Sequence, residues 1–464
     1  MFFMNLHHVI FEALYEIKLT RRNLLFNMFV FFALLTTISF TFISFSESDK
    51  IEFGKFYLPW FAQALPSSIP FMAAYYYNFV QVLMVFFMVS NDLRRLRLTT
   101  ISALEARPQN NSDAIIGKFL GRVAIFSLVN VLIYSVMICY NLIYYPRVLN
   151  ISYYFFYGIT LNFPVLIYFL SLSILVSRFV NNQGISILIL LFFCVGTTIC
   201  GAGVMNNLFD PFARYIPNLF SDFVGHVQLT CFLLHQTIYL LMGICFLILS
   251  ILVYRRLPNN IHQVRSVLVF AMFPFILSVI FIAFYMGNFM RVERNKNEYR
   301  QFYFEYEHVL KNRVLSNEIR LRDLGKEGVA VESKMKIVNR NEEQIPVLLY
   351  LNPGLTVNGI KNGSVNLSFE RKGPVILVDK QLAAEDTCDL IVSYEGIVDN
   401  DVCHLDQFAV PGYQRLNENR RGIYSLGTQP AYCVNNYKLF TPEVLWYPTC
   451  VPPTCFSFFR NMDF

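Results

Sequence analysis

The chain has 464 residues, 55% of them hydrophobic and only 15% charged, with 38 Lys and Arg against 32 Asp and Glu. A mean hydropathy of +0.44 with so little charge excludes an ordinary soluble globule, where charged residues reach about 25%. It also excludes a disordered chain, a collagen and a small disulfide scaffold. The net charge of +6 is unevenly placed: residues 1–290 hold 17 Lys and Arg against 10 Asp and Glu, and residues 291–464 hold 21 against 22. The basic surplus therefore sits between apolar segments, which argues against a nucleic-acid binder and for membrane topology.

The first element is Leu6–Lys18, where Leu6, Val9/Ile10, Ala13/Leu14 and Ile17 recur at helical spacing and Glu12, Glu16 and Lys18 lie off that stripe. The pattern predicts an interfacial amphipathic helix over residues 1–23. The alternative is a helical extension of the first span.

Seven stretches are then long and apolar enough for a bilayer core of roughly 30 Å. They are Leu24–Phe45, Ile69–Ser90, Phe119–Ile143, Tyr154–Val176, Ile185–Val204, Leu229–Tyr254 and Ser266–Met290. With a cytoplasmic amino end, 13 Lys and Arg fall in inside segments and 4 (Lys50, Lys55, Arg147, Arg214) in outside ones, as the positive-inside rule requires. Seven crossings place residues 291–464 on the far side. Arg21-Arg22 precede a stretch of full length and no small-residue cleavage site follows Phe45, so this is not read as a signal peptide.

The longest inside loop runs from Asn91 to Lys118. Its Leu93–Leu98 and Ile101–Arg107 segments predict helix, and Pro108 ends the pattern by removing a donor and restricting Arg107. Asn111-Ser112-Asp113 offers an N-cap for the next helix. The loop is either a connector or a docking site. The span interiors carry no Asp, Glu, Lys or Arg, which speaks against an ion-coupled carrier. Asn78, Gln81 and Asn130 lie in the second and third spans, where they either line a polar path or make interhelical hydrogen bonds of roughly 0.6 kcal/mol each. His235 is read as structural. The outside connection Met205–Gln228 is half apolar and broken by Asp210-Pro211 and Ile216-Pro217; it predicts short helices dipping toward the membrane, or else an interfacial loop.

Residues 291–328 read as a helical stalk, with Tyr299, Phe302, Tyr306, Val309/Leu310 and Leu315 at helical spacing. Residues 329–464 read as an antiparallel β-domain. Val329, Val331, Ser333, Met335 and Ile337 alternate with polar residues, Asn352-Pro353-Gly354 marks a turn, and strands follow at Pro346–Leu351, Leu355–Gly359, Val365–Phe369, Val375–Val378 and Leu390–Tyr394. The expected fold is a polytopic α-helical membrane bundle of six to seven spans (residues 24–290) followed by an all-β, antiparallel extracytoplasmic domain.

No Gly-x-x-x-x-Gly-Lys-Ser/Thr and no His-Glu-x-x-His occurs, and no nucleophile triad is suggested by spacing. The chain is therefore expected to be no enzyme by itself and to hold no cofactor. Cys139, Cys194, Cys200, Cys231 and Cys245 lie in apolar spans and read as small apolar residues. Cys388, Cys403, Cys433, Cys450 and Cys455 lie in the β-domain, where disulfides are possible but the number is odd. Cys403-His404 with Cys450 and Cys455 fits no standard zinc spacing.

Two segments carry a family resemblance. The helix ending Lys18-Leu19-Thr20-Arg21-Arg22-Asn23, the stretch from Glu105-Ala106-Arg107-Pro108 to Gly117-Lys118-Phe119-Leu120-Gly121, and the broken 205–228 connection make residues 1–260 resemble the permease subunit of type-two ABC exporters. The seventh stretch extends that family's usual six. The resemblance implies an ABC ATPase subunit, with its ATP, supplied in trans and a second permease copy or paralogue. It implies ATPase coupling through Arg94, Arg95, Arg97, Leu98, Leu104, Glu105, Arg107 and Pro108. It also implies a bacterial inner membrane, with the carboxy-terminal domain periplasmic or extracellular.

Asn352–Gly359, Ser393-Tyr394-Glu395-Gly396 and Thr441–Pro448 make residues 329–450 similar to the N-terminal β-domain of aminopeptidase N-like zinc peptidases, without the catalytic domain. That implies an alternative function: a membrane-anchored, non-catalytic scaffold that binds a peptide or a separately encoded peptidase domain.

Overall fold

A computed structural model describes residues 5–45, 68–98, 110–180, 182–200, 204–213, 216, 220–221, 225–226, 228–254, 261–402, 431–434 and 437–452. They divide into a helical unit ending at Gly287 and a sheet unit beginning at Asn288.

The helical unit contains α1 (Leu6–Arg21), α2 (Leu24–Phe45), α3 (Ile69–Leu98), α4 (Asn111–Tyr144), α5 (Ile151–Tyr157), α6 (Phe163–Val180), α7 (Gln183–Cys200) and α8 (Leu229–Val253). The last helix, α9 (Ile261–Glu305), begins in this unit. A π-turn at Gly158–Asn162 makes α5 and α6 one run of helix. Its cause is legible: Pro164 has no N–H to give and its ring crowds the carbonyl four residues back, so the turn before it widens. The membrane-crossing candidates are α2, α3, α4, α5–α6, α8 and α9, six among the described residues.

The fifth predicted stretch differs. Its apolar helix, Gln183–Thr198, is shorter than the six crossing candidates and begins two residues before the predicted Ile185: the Asn182 side-chain oxygen accepts from the N–H groups of Gly184 at 3.0 Å and Ile185 at 3.4 Å, an N-cap. The predicted cap of α4 is also displaced. Asn110 is the N-cap residue, and Asn111, Ser112 and Asp113 form the first turn, where Asp113 faces the positive end of the helix dipole.

Buried aromatic pairs hold the bundle together. Phe71 of α3 meets Tyr157 at 5.5 Å between ring centroids, Phe86 meets Phe169 at 5.7 Å, and Phe26 of α2 meets Phe126 of α4 at 6.0 Å. Such contacts contribute about 0.5–1.5 kcal/mol beyond the area they bury. Conversely, Phe31, Leu128, Phe192, Phe273 and Phe284 are exposed, the outward apolar surface that a lipid-facing bundle presents.

In the sheet unit, β3 (Arg313–Asp323), β4 (Val329–Val338), β10 (Thr387–Gly396), β6 (Leu355–Asn362) and β7 (Val365–Leu367) form one sheet in that spatial order. A second sheet runs β5 (Ile345–Tyr350), β9 (Val375–Leu382), β8 (Phe369–Lys372), and β11 (Ala431–Val434) pairs with β12 (Tyr437–Phe440). All assigned pairings are antiparallel. Val331, Ile337, Val347, Leu349, Ile376, Val392 and Tyr394 fill the core. Tyr303 and Tyr306, at and just after the end of α9, are buried in the same core. Two two-residue strands, β1 (Phe220–Ser221) and β2 (Gly225–His226), lie earlier in the chain.

The predicted helical stalk over 291–328 is corrected. Helix ends at Glu305, and Arg313–Asp323 is the edge strand β3, paired with β4 from Arg313↔Val338 to Asp323↔Val329. Its charged Glu318, Arg320, Arg322 and Asp323 resemble helix-surface chemistry, but they are what an edge strand carries to discourage further pairing. The hydrogen-bond demand of β4 overrode the local pattern.

Candidate functional site

The amino-terminal helix lies against the bundle with Val9, Glu16 and Thr20 turned inward. Leu6 and Leu14 are each 61% exposed, whereas Glu16 and Thr20 are buried. Asn5 caps the helix by accepting from the His7 N–H at 3.1 Å. Its partner is α4, and the close approach comes from two glycines: a Cβ on Gly117 would lie 2.6 Å from Glu12 Cβ, and one on Gly121 only 2.5 Å from the Ala13 carbonyl. At this crossing Arg122 holds Glu16, Nε to Oε1 at 2.8 Å and Nη2 to Oε1 at 2.7 Å, with both side chains at most 7% exposed.

The three amides of the spans come together in part. Gln81 Nε2 donates to the Asn162 carbonyl at 3.2 Å, Asn130 Nδ2 donates to Gln81 Oε1 at 3.0 Å, and Asn162 Nδ2 donates to Asn130 Oδ1 at 3.1 Å. This is a closed ring across α3, α4 and the π-turn. Asn78 is one turn away on α3, almost fully buried, and neither atom of its amide has a partner among the described residues. Asn162 Oδ1 and the hydroxyls of Tyr77 and Tyr134 are also unpartnered. Each unsatisfied buried group costs about 1–3 kcal/mol, and these five atoms are uncharged hydrogen-bonding groups without a partner among the described residues. Asn162 was not picked out from sequence; the signal for it was the Asn two residues before Pro164, where a helix must widen.

The Met205–Gln228 connection forms no helix among its described residues. Turns run from Val204 to Phe212, and Met205, Asn206, Asn207 and Ala213 have φ between 47° and 66°. This non-helical backbone is sealed by side chains. Tyr239 Oη donates to the Leu208 carbonyl at 2.7 Å, Tyr285 Oη to the Asn206 carbonyl at 2.7 Å, and His235 Nε2 contacts the Asn207 carbonyl at 3.2 Å. His235 is thus a structural hydrogen-bonding residue, as read from sequence. Phe212 stacks on Phe79 at 4.4 Å and on Phe169 at 5.5 Å. The fully buried Asp210 Oδ1 accepts from the Phe212 N–H at 3.2 Å. Irregular backbone at such depth survives only when its polar groups are met in this way.

Of the predicted coupling residues, Arg94, Arg95, Arg97 and Leu98 fall on the last turns of α3. Leu104, Glu105, Arg107 and Pro108 lie outside the described residues.

In the sheet unit, Asn352 ties two of the three motif segments to Asp399. Its Nδ2 donates to the carbonyls of Asp399 at 2.8 Å and Val444 at 2.6 Å, and its Oδ1 accepts from the N–H groups of Gly354 at 2.9 Å and Asp399 at 2.8 Å. Cys388, Cys433 and Cys450 are free thiols, and burial pushes the Cys450 thiol up to about 12. Cys403 and Cys455 lie outside the described residues, and no group of metal ligands forms among the described ones. No protein-family model matches the chain, and no curated protein matches it.

Proposed function

We propose that the chain is the transmembrane subunit of an ATP-driven exporter of the type-two ABC class, coupled through residues 91–118 to an ATPase supplied in trans and working with a second copy or paralogue. The observation that carries this reading is the clamp of α1 on α4 through Glu16 and Arg122, placed on the helix that leaves the 91–118 segment. A movement of that segment then shifts α1 and α4 together. The amide ring of Gln81, Asn130 and Asn162, with unpartnered Asn78, supplies a neutral polar lining for cargo.

Topology in this reading counts α7 as a crossing. At about 1.5 Å per residue its 18 residues reach about 27 Å, close to the roughly 30 Å core. Seven crossings with a cytoplasmic amino end then put the sheet unit beyond the far leaflet of a bacterial inner membrane. With six, it lies on the cytoplasmic side. Cysteine-accessibility mapping decides between the two.

The test is purification of the full chain in nanodiscs with its co-purifying proteins. A bound P-loop ATPase, whose stimulated activity falls at least tenfold in Arg107→Glu/Pro108→Ala while membrane insertion is retained, supports the reading. Absence of any ATPase, or unchanged activity, overturns it. A second reading, a membrane-anchored peptidase-like scaffold, draws on the separate core of the sheet unit; capture of a zinc-peptidase fragment instead of an ATPase would favour it.

A further inference from the structure

One cleft in the helical unit is lined by cations. Lys118 of α4, Arg122 of α4 and Arg178 of α6 border this small, open recess together with Ser177, Ile115 and Ile174. Lys118 stands in the second turn of α4 and Arg178 two residues before the end of α6, so the two antiparallel helices bring their charges to the same end of the bundle.

Of the three lining cations, Arg122 is paired with Glu16. Arg178 stacks its guanidinium over the Tyr254 ring at 4.7 Å. Lys118 is half-buried and has no ion pair among the described residues. Ser177 adds a hydroxyl, 3.1 Å from that of Ser186. Topology alone asks only for cations near the membrane surface; it does not ask for them to converge on one recess between two helices with isoleucine walls. Fork-shaped and point-charge donors above an apolar wall are the chemistry of phosphate recognition.

We infer that this cleft is a binding site for a phosphate group, with an anionic phospholipid headgroup of the adjacent leaflet as its source and free phosphate as the competing one. The isoleucine walls take the first part of the acyl region, and Lys118, Arg178 and Ser177 take the phosphate. The inference needs only that the helices span the membrane, and holds whether or not the chain exports.

The test uses the full chain purified from its membrane and read by native mass spectrometry, with binding titrated by adding phosphatidylglycerol, phosphatidylcholine or inorganic phosphate. Retention of phosphatidylglycerol over phosphatidylcholine is expected. Lys118→Gln and Arg178→Gln should each weaken it about fivefold, from roughly 1 kcal/mol per cation at an anionic surface. Arg147→Gln, outside the cleft, should not change it. If inorganic phosphate competes at equal concentration, the site stands and its source is the free anion. Equal retention of both lipids, or loss in Arg147→Gln equal to that in the cleft variants, overturns the proposal. Monodispersity and melting temperature of each variant separate lost binding from lost folding.

Discussion

Replacing Glu16 by Gln keeps the shape of the side chain and leaves the Arg122 guanidinium buried without its counter-charge. The gross Coulomb attraction at 2.7 Å is about 6 kcal/mol at an effective dielectric near 20. Desolvation of both ions offsets much of it, so the net worth of the pair is small, while removal of one member costs about 3–5 kcal/mol. Side chains at most 7% exposed place this pair in the buried regime, not the surface one of about 0–1 kcal/mol. Unfolding titrations in mixed micelles should therefore show Glu16→Gln destabilised by about 3 kcal/mol or more. Arg122→Met should do the same, and Glu16→Gln/Arg122→Met should lose much less than the sum. A single variant within about 0.5 kcal/mol of the parent, or strict additivity, would refute the claim that α1 is held by charge.

Three further outcomes are expected. Asn162→Leu should cost roughly 0.6 kcal/mol per lost interhelical bond in the same titration, whereas Asn78→Leu should be neutral or stabilising because its amide has no partner among the described residues; a large loss on Asn78→Leu would mean that the amide is satisfied. Asn352→Ala removes four hydrogen bonds and should lower the sheet unit's stability by several kcal/mol at about 1–3 per orphaned group, read by limited proteolysis; wild-type resistance would contradict it. Burial raises the Asp401 carboxyl, with Asp399 adding to the rise, and Asn295, Lys296 and Arg291 opposing it. A carboxyl raised in the folded state binds its proton more tightly there than when unfolded, so its stability penalty is present above the folded value and relieved as pH falls through it. The difference in melting temperature between Asp401→Asn and the parent should therefore shrink on acidification from pH 7 toward pH 4, and a constant difference would count against it.

The strands from Val329 onward were legible because one face of each is dry, so alternation in sequence mirrors alternation in space. The N-cap of α4, one residue off at Asn110, and the turn at Asn352-Pro353-Gly354 were legible or nearly so, since local hydrogen bonding sets them. Arg313–Asp323 was not. A charged segment becomes a strand only because β4 presents an unpaired edge.

Apolar length and the placement of cations thus determined a helical membrane half and a sheet half from the chain alone, because the cost of burying backbone and charge in lipid depends on composition over about 20 residues. Partnership was decided only in three dimensions. Glu16 found Arg122 across 106 positions and Gln81 reached Asn162 across 81, and the 204–212 turns were sealed by residues of α8 and α9. Those contacts depend on which helix faces meet, and no local pattern of residues encodes that.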